Sequence, residues 1–216
     1  MPVPELKYSY IAVEGPIGVG KTTLAKLLAK RLGATTLLED AANPFLQDFY
    51  GGKKGASFQC QLFFLLTRYQ QQQQVVQRTL FDNKVVADYI PRKDKIFAYL
   101  NLNDSELIVY EKLYTLLMEP LPRPDAVVYL QATTQTLLKR IKSRSRSYES
   151  AISDEYVEEL NRAYNYYFFH YQDTPLLIVN TNDVDFEKSA AELDHLVAQL
   201  NRLEKGALLY APPGSA

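Results

Sequence analysis

Five short runs of apolar and β-branched residues punctuate the chain: Tyr8–Val13, Thr35–Leu38, Lys84–Ala87, Ala126–Leu130 and Leu176–Val179. They read as continuous rather than alternating, the pattern of strands buried on both faces of a sheet. Between them lie longer stretches with apolar residues three and four apart, which predict helices at about 21–32, 57–80, 103–119, 133–143, 153–171 and 185–204. Strands alternating with helices predict an α/β fold: a five-stranded parallel sheet, helices on both faces and right-handed crossovers. No internal repeat or Pro/Gly-rich linker is visible, so residues 1–216 read as one domain. The glutamines at 70–74 read as a solvated helix face. The segment from Gly206 to Ala216 lacks periodicity, and a mobile tail and a docked arm both stay open. The helix ending at Tyr171 carries Tyr164, Tyr166, Tyr167, Phe168 and Phe169 on more than one face. That exceeds what one core stripe needs and points to a partner subunit.

Composition narrows the class. The single cysteine, Cys60, excludes an intramolecular disulfide and any CxxC site. No stretch approaches the ~20 apolar residues of a membrane span, and no apolar leader opens the chain, so the expectation is a cytoplasmic protein without a membrane partner. With 24 basic and 25 acidic residues the formal charge is −1, which suits a local anion site and disfavours a nucleic-acid polymer.

The strongest chemical signal is Gly15-Pro16-Ile17-Gly18-Val19-Gly20-Lys21-Thr22, which satisfies GxxxxGK[ST] between an apolar strand and an amphipathic helix. Glycines let backbone N–H groups turn towards phosphate oxygens, and the helix N-terminus adds its dipole. Lys21 is expected on the β- and γ-phosphates of ATP, and the Thr22 hydroxyl on Mg²⁺. No NKxD-type loop marks a GTPase, and Asp88 is followed by Tyr89 rather than a second acid, unlike a motor ATPase. Something else must receive the phosphoryl group. The second predicted strand ends in Glu39-Asp40 and the third in Asp88, at the sheet edge where such folds bind ligands. A carboxylate there can take a proton from an attacking hydroxyl, and Asp88 can orient Mg²⁺. Arg140, Arg144 and Arg146, then Glu149, follow a helix and read as a lid at about 143–152 whose guanidinium forks suit phosphate.

Together these segments resemble the deoxynucleoside kinase family over nearly the whole chain. Glu14 to Thr23 looks like that family's phosphate loop, Asn43 to Tyr50 like the NPxLxxFY segment of its bacterial branch, Ser57–Gln61 and Leu65–Arg68 like its substrate helix, and Arg140 to Glu149 like its lid. The resemblance implies phosphorylation of a deoxynucleoside 5′-hydroxyl, with Glu39 as base. It places Tyr50 and Glu149 on the 3′-hydroxyl, and Gln61 on the base edge. Arg68 falls on the base or a carboxylate, Phe58 and Phe97 around the base, and the partner is a second copy in a homodimer. Two departures stand out: Asp40 competes with Glu39, and Arg92 or Lys93 must replace an arginine missing after Asp88. The stretch Asp88 to Ala98 resembles the deoxyguanosine kinase branch more than the deoxyadenosine/deoxycytidine one, favouring a purine. A nucleoside monophosphate kinase, which needs extra cations for its substrate's phosphate, and an idle nucleotide-binding module stay open. Cys60, His170 and His195 match no role and read as structural.

Overall fold

The computed structural model describes residues 6–40, 42–79, 84–144, 149 and 151–212, the side chains of 74–79 excepted. Strands β1 (Tyr10–Glu14), β2 (Thr35–Leu37), β3 (Val85–Ala87), β4 (Ala126–Gln131), β5 (Leu176–Asn180) and β6 (Ala207–Tyr210) form one sheet in the order β2-β3-β1-β4-β5-β6. Every neighbouring pair is parallel. The helices are α1 (Lys21–Leu32), α2 (Leu46–Tyr50), α3 (Ala56–Thr79), α4 (Asp94–Asn101), α5 (Asp104–Met118), α6 (Thr134–Arg144), α7 (Asp154–Phe169) and α8 (Ala190–Arg202). This is the architecture of a P-loop kinase.

Burial on both faces of the sheet follows from the strand composition. Ile11 and Val13 of β1, Val128 and Leu130 of β4, and Leu177 and Val179 of β5 pack against Leu24 and Leu28 of α1 and Leu196 and Leu200 of α8. Their alternates, Tyr10, Ala12, Val127, Tyr129 and Leu176, face Leu160, Tyr164 and Phe168 of α7 and Ile96 of α4. Tyr129 and Phe168 stack with ring centroids 4.0 Å apart. A third cluster, Leu65, Ala98, Tyr110, Tyr114 and Met118, joins α3, α4 and α5 away from the sheet.

Three expectations are corrected. The sheet has six strands rather than five, because Ala207–Tyr210 docks beside β5 as an arm and the Tyr210 hydroxyl reaches Glu192 on α8. Four residues are too few for periodicity to reveal, and the strand is specified by the neighbour it pairs with. The glutamine run is not a uniformly solvated face. Gln70 and Gln73 are exposed, but Gln72 is fully buried and bonds the Tyr10 hydroxyl, and Gln71 donates to the Leu38 carbonyl. The helix expected from about 185 begins at Ala190, capped by the Ser189 hydroxyl, and the preceding residues form a loop beside the phosphate site. The short helices α2 and α4 were not anticipated, being brief and dependent on tertiary packing.

Candidate active site

The phosphate loop is built by chain geometry. Gly15 and Gly18 have φ of 153° and 85°. A Cβ on Gly15 would stand 2.6 Å from the Leu130 carbonyl, and one on Gly18 2.8 Å from Ile141 of α6. The loop therefore runs backbone-to-wall between β4 and α6. Helix α1 starts after Gly20 with neither a side-chain cap nor an acid in its first turn, which leaves its N–H groups and dipole open to an anion. Lys21 Nζ donates to the carbonyls of Gly15 (2.7 Å) and Pro16 (3.1 Å). Burial, aided by Lys93, pushes its pKa down to about 8 against the pull of Glu14, Glu39 and Asp88.

Two cavities meet at this loop. A groove of about 630 Å³ runs over Gly18 to Thr23 and along Arg140, Arg144 and Thr181. A second cavity of about 250 Å³ extends under α2 and α3, lined among others by Glu39, Tyr50, Gln61, Arg68, Phe97 and Glu149. Gly18, Lys21, Thr22 and Arg144 line both, so a triphosphate tail in the first would point at a ligand in the second. At this seam the Thr22 hydroxyl donates to Asp88 Oδ2 (2.5 Å), and Asp88 Oδ1 accepts the Glu39 N–H (2.6 Å).

Glu39 is the acid that faces the seam. Arg68 Nε donates to its Oε1 at 2.8 Å and Arg68 Nη2 joins the same oxygen, while Lys93 Nζ donates to Oε2 at 2.9 Å. Burial alone would raise its pKa, but these two cations outweigh it and hold the carboxyl well below the usual range. Asp40 points elsewhere: it is exposed and accepts the Ala42 N–H, an Asx-type turn, so Asp40 does not reach the cavity. Of the two candidate cations, Lys93, only 2% exposed, lines the cavity, whereas Arg92 pairs with Asp173 outside it.

Of the remaining expected residues, Tyr50, Gln61, Arg68, Phe97 and Glu149 converge on the cavity wall. Gln61 is 3% exposed, and its Oε1 has no hydrogen-bond partner among the described residues. Arg68 reaches two carboxylates, Glu39 and the fully buried Asp94. Phe58 does not line the cavity. It shares one stripe of α3 with Leu65 and Tyr69 and packs into the third core cluster, and Phe64, one turn beyond Gln61, stands in the wall instead. Arg144 Nη2 donates to Glu149 Oε1 at 2.8 Å, which ties the end of α6 to the cavity lining; residues 145–148 and 150 of the lid expected at about 143–152 lie outside the described residues. Arg140 is anchored on the Val19 carbonyl and on Thr181. Arg146 lies outside the described residues.

Four contributors escaped the sequence reading. Cys60 lines the cavity, its sulfur and carbonyl both held by Asn43, and burial pushes its thiol up to about 12. Tyr164 lines it from α7. Asp94 anchors Arg68, and Glu14 closes β1 with a wholly buried carboxylate. An acid ending an otherwise apolar strand, as Glu14 does, was the available signal.

Comparison with known proteins decides the family. Residues 11–204 match the family model described as deoxynucleoside kinase. The chain belongs to the deoxynucleoside kinase family. This kinase is 38% identical over 203 residues to a deoxyguanosine kinase of Bacillus subtilis (strain 168), covering 87% of its own chain and 97% of the relative's. It is 33% identical over 205 residues to a deoxyadenosine/deoxycytidine kinase of the same organism, covering 90% and 92%. Among solved structures, a deoxyadenosine kinase from M. mycoides with products dCMP and a flexible dCDP bound superimposes with a TM-score of 0.72 at 28% identity, over 88% and 96% of the two chains. The kinase is a phosphotransferase with an alcohol acceptor, acting on a small-molecule deoxynucleoside at its 5′ position and taking the phosphoryl group from a nucleotide. None of its described helices is long and apolar enough to cross a membrane.

Proposed function

We propose that the donor is ATP with Mg²⁺, that the preferred acceptor is deoxyguanosine or another purine deoxynucleoside, and that Glu39 is the base. The observation that carries this reading is the position of Glu39, a carboxylate held ionised by two cations beside the seam shared by the two cavities. A 5′-hydroxyl donating to Glu39 would stand in line with a γ-phosphoryl on Lys21, so positioning and fixed charge supply most of the catalysis. Loose phosphoryl-transfer transition states need the hydroxyl oriented more than deprotonated early, which suits so weak a base. The Thr22 hydroxyl gives its proton to Asp88 Oδ2 (2.5 Å), and this pair of hard oxygens at the loop would hold Mg²⁺, directly or through water, which would supply neutralising charge at the triphosphate. Lys21 and Arg144 complete the cationic surround, with Arg140 fixing the loop.

On the acceptor side, Tyr50 and Glu149 are assigned to the 3′-hydroxyl, with the tyrosine crowding a 2′-hydroxyl. Gln61 presents an amide, donor and acceptor together, to the base edge beside Phe97. Arg68 and Lys93 are both engaged with carboxylates, so neither stands free for the phosphate of a monophosphate acceptor, which argues against a nucleoside monophosphate kinase. A coupled ATP assay against the four deoxynucleosides, dGMP, dTMP and ribonucleoside controls tests the reading. The highest kcat/KM is expected with deoxyguanosine and at least about tenfold less with guanosine, a difference of roughly 1.4 kcal/mol. Preference for a pyrimidine or a monophosphate would overturn it.

Triphosphate binding should be linked to Lys21. A phosphate beside the ammonium raises its pKa from about 8, so nucleotide binding at pH 8 is expected to take up about half a proton. Affinity should then fall by up to tenfold per pH unit above 8, until the bound-state pKa is passed. Titration calorimetry in buffers of different ionisation enthalpy measures the uptake, and a buffer-independent heat would exclude it.

The homodimer is assigned to a groove of about 880 Å³ between α4 and α7, lined by Tyr99, Leu100, Ala163 and Tyr166. Tyr99, Tyr166 and Phe169 are 58%, 71% and 84% exposed, an apolar load that a second copy would cover. Sedimentation should show a dimer that Tyr166→Glu shifts towards monomer.

A further inference from the structure

Glu39 presents a mechanical difficulty. Arg68 gives two donors to one of its oxygens and Lys93 one donor to the other, so a 5′-hydroxyl donating to Oε2 shares that oxygen with the ammonium unless Lys93 yields. Arg68 is fixed from its far side by the buried Asp94 and covered by the Phe64 ring, 4.6 Å from its guanidinium carbon. Lys93 is the movable one. Its ammonium lies 2.9 Å from Glu39 Oε2 and 3.9 Å from Glu14 Oε2, so it stands between two carboxylates.

Glu14 is fully buried and sealed from the cavity that Glu39 lines. Its Oε1 accepts the Gly15 N–H at the root of the phosphate loop (2.9 Å), and its Oε2 accepts the Ile90 N–H (2.9 Å), with the Tyr164 hydroxyl 3.4 Å from Oε1. Ile90 immediately precedes the one-turn helix Pro91–Lys93, and the Lys93 N–H is itself bonded to the Ile90 carbonyl. One carboxylate therefore fixes both the backbone that bears Lys93 and the backbone that opens the phosphate loop.

We propose that Glu14 is a positioning residue, the second seat of the Lys93 ammonium, drawing it off Glu39 when the sugar hydroxyl arrives. Glu14 touches neither substrate nor reacting atoms and acts through Lys93. With Lys93 on Glu14, Glu39 Oε2 is left wholly to the 5′-hydroxyl, and the sealed carboxylate gains a cation beside its hydrogen bonds from Gly15, Ile90 and Tyr164. The exchange moves the ammonium by about the difference between an ion-pair contact and a hydrogen bond, so it needs no backbone rearrangement. It also explains why a carboxylate, costly to bury, ends an apolar strand at a position where Tyr10, Ala12 and Val13 set the pattern. The proposal rests on Glu39 as the base.

A double-mutant cycle on kcat tests it. Glu14→Gln keeps size but removes the charge that would hold Lys93, and Lys93→Met removes the ammonium itself. Glu14→Gln is expected to lower kcat about 10- to 100-fold, because Lys93 then stays on Glu39, with the KM for deoxynucleoside moving less than about threefold. Adding Lys93→Met to Glu14→Gln should lower kcat no further and bring the double variant within about threefold of Lys93→Met alone, because without the ammonium Glu14 has nothing to draw away. A purely structural Glu14 would instead give additive losses, or a normal kcat with a lowered Tm, and either result would overturn the proposal. If Glu14→Gln does not fold, the cycle is run with Glu14→Asp, which keeps the charge but draws it back from Lys93, and the same non-additivity is required. Loss of activity in the Glu39 variant belongs to the base assignment. Additivity between positions 14 and 93 in an otherwise active enzyme sinks only this inference.

Discussion

Replacing Glu39 with glutamine is expected to lower kcat by about 10²–10⁴ while the protein still folds. The fold survives because neither cation is stranded: Arg68 keeps Asp94, and Lys93 keeps Glu14 at 3.9 Å. The nucleoside KM should change only a few-fold, since Tyr50, Gln61 and Phe97 still line the cavity. The sign of the pH dependence follows from the same ion pairs. With its folded pKa held below the unfolded one, Glu39 contributes stability that is present above the ordinary carboxylate range and is lost as pH falls through the folded value. The wild-type rate should therefore show no acid limb from Glu39 across pH 5–8, where most assays run. A limb near pH 5 that disappears in Glu39→Gln would mean the carboxylate is far less tightly paired than Arg68 and Lys93 make it. Near-normal turnover of the variant would remove Glu39 from the reaction altogether.

Arg68→Met should produce the largest loss of stability. The arginine is 4% exposed and joins Glu39 to Asp94, which is wholly inaccessible, so its removal leaves a carboxylate buried without its cation. Stripping one partner from such a pair costs about 3–5 kcal/mol, and in a domain of this size a Tm lower by roughly 10 °C or more. Methionine restores most of the volume, so little of the loss is cavity. The diagnostic arm is the double variant Arg68→Met with Asp94→Asn, which should recover about half or more of the lost stability, because the uncompensated charge is gone. It should not recover activity, since Glu39 still lacks its clamp. A Tm within about 2 °C of wild type for Arg68→Met alone would show that the pair contributes no more than a surface ion pair does.

The phosphate loop, the strand-helix alternation and the acids at the strand ends were legible because each is written in adjacent residues. Gly15 to Thr22 specifies a turn, a cradle and a helix start in eight consecutive positions, and the doubly buried strands announce themselves by continuous apolar runs. Resemblance carried Tyr50, Gln61, Arg68 and Glu149 to a common site, and all four do line one cavity. The pairs it left open differ in direction. Glu39 and Asp40 are neighbours, yet one enters the cavity and the other caps its own turn. Arg92 and Lys93 are neighbours too, and one pairs with Asp173 while the other reaches Glu39. Consecutive side chains diverge, so a wall built from several elements selects one of each pair.

The sequence alone determined the chemistry on offer: a triphosphate cradle, carboxylates beyond it and a family of sugar-alcohol kinases. Tertiary structure decided which groups meet. Arg68 and Asp94 lie on α3 and α4, and Lys93 and Glu14 are separated by most of the first three strands, so no local pattern could pair them. The sixth strand, the buried Gln72 and the inward position of Phe64 in place of Phe58 have the same origin. Each depends on long-range packing and on satisfying buried polar groups, energies that exist only once distant segments share a dry interior.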